Sequence, residues 1–111
     1  MHMEIITNDG ITIVSIMRRF DAYTAGEVEA NLTKILDGGA LKVICDFSQT
    51  EYLASAGLRV LITACKRLQR SGGQFALCSI KPYVLEVFDI SGLNKIFKMY
   101  DSRDAAIQNI K

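Results

Sequence analysis

The sequence predicts an α/β fold: a mixed, mostly parallel β-sheet with an N-terminal β-hairpin and about four helices. Three observations predict it. Runs rich in β-branched residues alternate with segments whose apolar residues recur at helical spacing, the order that gives parallel strands joined by right-handed helical crossovers. An Asp-Gly pair separates the first two strand-like runs, a hairpin signal that makes the sheet mixed. The length, 111 residues, fits a single domain over 1–111. A chain of that size buries about two-thirds of the surface its unfolded form exposes, enough for a core without staples.

Glu4 to Thr7 and Ile11 to Met17 are the expected hairpin strands around Asn8-Asp9-Gly10. Thr24 is expected to cap a helix running to about Leu36, with Glu27 three residues on completing a capping box. Ala25, Val28, Leu32, Ile35 and Leu36 share one face of it, and Gly38-Gly39 ends it. Leu41 to Phe47 reads as a strand buried on both faces. A loop, Ser48 to Ala54, leads to a second helix from Ser55 to about Arg70, with Leu58, Leu61, Ile62, Cys65 and Leu68 as its apolar stripe. Lys66, Arg67 and Arg70 gather at its end, where cations suit the helix dipole. Gln74 to Ser79 is the next strand. Pro82 opens a third helix to about residue 90, where Ser91-Gly92 stops it. Ile96 to Tyr100 forms a last short strand, and Ser102 caps a final helix that turns Ala106, Ile107 and Ile110 inward.

Composition narrows the function. Lys plus Arg is 13 and Asp plus Glu 12, and a net charge of +1 argues against direct nucleic-acid binding through phosphate electrostatics. Half the residues are apolar, yet no apolar run approaches the ~18 residues of a membrane span. Residues 1–7 carry neither the basic start nor the apolar stretch of a leader, so a cytoplasmic chain without membrane insertion is expected. The three cysteines, Cys45, Cys65 and Cys78, sit in apolar segments at spacings of 20 and 13, which match no zinc pattern. They read as small buried hydrophobes in a reducing compartment. His2 is the sole histidine, so neither a histidine-based triad nor a zinc centre is expected. There is no phosphate loop, and no cofactor or metal is implied.

In open α/β sheets function gathers beyond the carboxyl ends of the strands. That edge should carry Arg18 to Thr24, Asp46 to Ser55 and Ser79 to Lys81. Within it, Asp46 to Leu61 joins a buried strand to the start of an amphipathic helix, with Ser55 at or beside the N-cap. A serine there caps helices, and a phosphate there would face unpaired N–H groups and the positive end of the dipole. Asp46 reads as a carboxylate that caps the following loop. A phospho-accepting aspartate of the response-regulator kind would need an acidic cluster after the first strand, which Ser15 to Arg18 do not supply.

Several segments together resemble the STAS-domain family of bacterial anti-sigma factor antagonists. Asp46-Phe47-Ser48 followed by Ala54-Ser55-Ala56-Gly57-Leu58 resembles the family's strand and helix opening. Phe20-Asp21-Ala22-Tyr23-Thr24-Ala25, Gly72 to Leu77, and Val87 to Leu93 with Ile96-Phe97 resemble three further family segments in register, so the likeness spans about Ile5 to Ile107. It implies a STAS-like fold and a protein-binding switch in signal transduction, not an enzyme. The unphosphorylated antagonist would bind an anti-sigma factor that is also a serine kinase, freeing the sigma factor for transcription. Phosphorylation at Ser55 would end the complex, and a phosphatase would reset it. Asp21, Tyr23, Thr24, Ala54, Ala56, Gly57 and Arg59 would meet the partner, and the chain would be a monomer or weak dimer. The family usually has an acidic residue where this chain has Ala54, and a small residue where it has Arg59. The alternative that the resemblance implies is a STAS subunit docking on a membrane transporter ATPase without phosphorylation.

Overall fold

Asp9 and Gly10 both take positive φ, 53° and 78°, the pair of left-handed residues that a two-residue type I′ hairpin turn needs. They close β1 (Glu4–Asn8) onto β2 (Ile11–Ser15) in antiparallel register. The computed structural model describes residues 3–110; His2 lies outside them. After the hairpin come β3 (Arg19–Phe20), α1 (Ala25–Asp37), β4 (Lys42–Asp46), β5 (Tyr52–Leu53), α2 (Ser55–Arg70), β6 (Gln74–Cys78) and α3 (Pro82–Ile90). A 3-10 turn (Leu93–Lys95), β7 (Lys98–Tyr100) and α4 (Arg103–Ile110) complete the order.

The main sheet runs β1-β2-β4-β6-β7, with every pair after the first parallel. β4 is central, and Val43, Ile44 and Cys45 are fully buried, as a run of apolar residues with a helix layer on each face requires. Val14, Val43, Cys45, Phe75 and Leu77 point to the face covered by α1, α2 and α3. Ile11, Ile13, Ile44, Ala76 and Cys78 point to the other face, closed by Ala106 and Ile110 of α4. Phe88 of α3 meets Phe47 and Phe97 edge-on, with ring centroids 6.4 and 5.8 Å away, an arrangement that aromatic quadrupoles favour.

The expected α/β class, hairpin and four helices are present, with differences in detail. β2 stops at Ser15 because the chain then turns aside to make β3, which pairs in parallel with β5 as a separate two-stranded sheet. The stretch expected as a plain loop from Ser48 to Ala54 therefore contains a strand. Thr24 does not form the expected capping box: its hydroxyl donates backward to the Arg19 carbonyl at 2.7 Å and makes no cap bond to α1. Ser102 does cap α4, accepting the Ala105 N–H at 3.1 Å. The last strand is shorter than expected because the 3-10 turn takes up the chain before it.

Candidate functional site

Two connections leave the carboxyl ends of β2 and β4 and are laced together. The Ile16 N–H donates to the Asp46 carbonyl at 2.9 Å, and the Glu51 N–H to the Arg18 carbonyl at 2.7 Å. Between them Thr50, fully buried, donates its hydroxyl to the Met17 carbonyl at 3.0 Å, so an otherwise awkward polar side chain becomes the pin of the loop. β3 and β5 then pair Arg19 with Tyr52 and Phe20 with Leu53. Phe20 and Leu53 point to the core, while Arg19 and Tyr52 face out with the guanidinium carbon 4.4 Å from the ring centroid.

α2 starts on this ledge. The Ala54 N–H donates to the Phe20 carbonyl at 3.0 Å. Gly57 follows because nothing larger fits: a Cβ there would stand 2.9 Å from Leu53 Cδ1 and 3.0 Å from Phe20 Cγ. Ala54 is the N-cap residue, in extended conformation with no side-chain oxygen, and no side chain caps the helix. Ser55 is thus not the cap but the first helical residue, exposed, with the first-turn N–H groups of α2 beside it and no acidic residue in that turn.

The Asp21 turn lies on the same side of the molecule, one residue after β3. Its carboxylate accepts from the Tyr23 N–H at 3.0 Å, the Thr24 N–H at 3.3 Å and Arg19 Nε at 3.3 Å. Burial works to raise the Asp21 pKa, but those two backbone donors and the guanidinium outweigh it and hold the carboxyl below its usual range. The sign follows from linkage. A depressed folded value stabilises above the unfolded value of 3.8, and the contribution is lost as pH falls below it. Asp21→Ala should therefore lower stability at neutral pH and flatten the acid limb. Urea midpoints of variant and wild type that differ equally at pH about 6 and about 3 would refute this. Tyr23, 96% exposed, stands free beside the turn.

Behind the ledge, Asp46 is buried and holds its loop as expected, accepting the Ser48 N–H at 2.8 Å. Its other oxygen meets Arg103 of α4 at 2.8 Å, and Arg103 also reaches Ser15 Oγ at 3.2 Å. The three thiols are free and buried. Burial pushes all three up, Cys78 to about 11 with the Asp46 charge adding, so none is poised as a nucleophile. Among the described residues no group of three His, Cys, Asp or Glu side chains could hold a metal ion.

The structure thus brings Asp21, Tyr23, Thr24, Ala54, Ser55, Ala56, Gly57 and Arg59 to one sheet edge, with Gly57 buried and Ser55 and Arg59 exposed. Sequence reasoning placed Arg19, Thr50 and Tyr52 within the edge segments without giving them a role, and missed Arg103. A buried threonine and a two-residue strand carry no periodic signal, and an arginine pairing across 57 residues carries none either.

The STAS domain family matches residues 2–106 of the chain. A Bordetella bronchiseptica protein provisionally named anti-sigma factor antagonist BtrV is 38% identical over 103 residues, covering 93% of this chain and 89% of its own. The anti-sigma-B factor antagonist of Bacillus subtilis is 25% identical, covering 97% and 98%. The crystal structure of an anti-sigma factor antagonist from Mycobacterium paratuberculosis is similar with a TM-score of 0.90 at 25% identity, over 98% of this chain and 92% of that one.

Proposed function

The chain belongs to the STAS domain family, and from that membership we propose that it is an anti-sigma factor antagonist switched at Ser55. In this reading the unmodified chain captures an anti-sigma factor that is also a serine kinase, and so releases the sigma factor for transcription. The kinase then transfers the γ-phosphoryl group of ATP to Ser55 Oγ; the hydroxyl loses its proton, ADP leaves, and the complex separates. A phosphatase returns the chain to its first state. Nothing in this cycle asks the chain to catalyse, and its own task is to present a surface.

The observation that carries the reading is the placing of Ser55: exposed, first in α2, on a helix whose N-terminus no side chain caps. Its hydroxyl is accessible to a kinase, and a phosphate there would be tolerated by the free N–H groups and the dipole. The relatives named as anti-sigma factor antagonists support the same reading. Asp21, Tyr23, Thr24, Ala54, Ala56 and Arg59 are the proposed partner-facing residues, and Gly57, buried beneath them, seats the helix start that presents them. A second reading, docking on a transporter ATPase without modification, is favoured by one observation: Ala54 offers a kinase no acidic neighbour.

Intact mass and phosphopeptide mapping of wild type and Ser55→Ala, each expressed in the source cells, test the proposal. The expected result is one phosphate on the wild type, mapped to Ser55 and absent from the variant, with the variant retaining a partner kinase in pull-downs. No phosphate under any growth or stress condition, with the same partner held by both forms, would remove the switch and leave the docking reading.

A further inference from the structure

Four of the six arginines hold carboxylates: Arg18 with Glu51, Arg19 with Asp21, Arg67 with Asp37 and Arg103 with Asp46. Arg70 ends α2, where a cation suits the negative end of the dipole. Arg59 fits neither pattern. It is exposed, stands one turn in from the positive end of α2, and makes no ion pair among the described residues. Ser55–Arg70 contains no Asp or Glu, so no carboxylate of its own helix lies three or four residues away. An exposed cation set against the local dipole, with no carboxylate beside it, is available to an anion that arrives later.

That state is in reach on the same helix. Arg59 follows Ser55 by four residues, which makes the two side chains neighbours on one helix face. Both are exposed, while Gly57, Leu58, Val60 and Leu61 between and beside them are buried.

We propose that Arg59 reads the modification state of Ser55. In the unmodified chain its guanidinium is free to meet a carboxylate of the captured partner. With a phosphate on Ser55 it turns back across one helical turn to the phosphate oxygens, and the partner loses that contact as it meets the new negative charge. This rests on the phosphorylation reading and adds to it the residue that carries the signal within the chain.

Phosphoserine introduced at position 55 during synthesis gives the modified chain without any kinase. Phosphorus-31 NMR titration of that chain, of its Arg59→Gln form and of its Arg59→Lys form is the test. The second phosphate pKa is expected below the ordinary value of about 6 with Arg59 present. It should rise by about 0.3 units in Arg59→Gln, the size of an exposed i,i+4 charge pair, with Arg59→Lys between the two. Arg70→Gln, which removes the same charge from the far end of α2, should leave it unchanged. Equal values with and without Arg59, or an equal rise in Arg70→Gln, overturn the proposal. The titration is blind to whether cells phosphorylate Ser55, so its failure and the failure of the phosphorylation reading are told apart.

Discussion

Arg103→Met should destabilise the fold by about 3 kcal/mol and lower Tm by roughly 10 °C or more. Asp46 is 4% exposed, and one of its oxygens lies 2.9 Å from Arg103 Nε and 2.8 Å from Nη2. Methionine keeps most of the stem packing but removes the charge, leaving a buried carboxylate with the Ser48 N–H as its remaining hydrogen-bond donor. Breaking one side of a buried pair typically costs about 3–5 kcal/mol. The lower end applies because the Arg103 side chain is still 35% exposed, so water reaches part of the gap. The control is the double variant Asp46→Asn with Arg103→Met, which removes both charges and should recover most of the loss. Urea unfolding of the three chains decides it. A single-variant cost under about 1 kcal/mol, or a double variant no better than the single, would mean the pair adds nothing that solvent does not already supply.

Gly57→Val should cost a comparable amount, about 3 kcal/mol, and should weaken partner capture beyond what lost folding explains. The position tolerates no Cβ without movement of Phe20 or Leu53, both buried. Overpacking of this sort costs about 1–3 kcal/mol, and a β-branched residue adds bulk at the same point. Gly57→Ala is the graded case. Alanine returns about 1 kcal/mol of helix propensity, so its net loss should be smaller by that amount or more. Room for the added carbons comes from Phe20 and Leu53 giving way or from the start of α2 lifting off the β3–β5 ledge, and the second displaces Ser55. A Val variant as stable as wild type would show that the ledge yields easily and that the helix start is not held by this contact.

Much of this architecture was legible in the sequence, and for identifiable reasons. α2 declares itself through Leu58, Leu61, Cys65 and Leu68 at helical spacing, all of them buried. β4 declares itself as a β-branched run, and the hairpin through Asp9-Gly10. Ser102 capped as expected because its signal is local. Thr24 did not, because its hydroxyl oxygen accepts the Asp21 N–H at 3.0 Å and the Glu27 N–H donates to the Thr24 carbonyl instead, and nothing in Thr-Ala-Gly-Glu announces that competition. The β3–β5 pairing joins residues 33 apart through two positions each, too short to show a period. Ser55 stood out as a helix-start serine, but whether it caps or only opens the helix depends on the Ala54 backbone, which composition cannot supply.

The parallel order of the main sheet also sets a timetable. Only β1 and β2 can pair without waiting; a hairpin of this kind closes in about 1–10 μs. Every later strand must wait for the helix that precedes it in the chain. On the ribosome the wait is longer still, because Arg103 emerges 57 residues after the carboxylate it neutralises. For that interval Asp46, at the carboxyl end of the central strand, is without its arginine, and the face that α4 will cover stays open to water. Closure of the Asp46–Arg103 pair is therefore a late event in the birth of the molecule, and a nascent chain halted before α4 carries both defects at once.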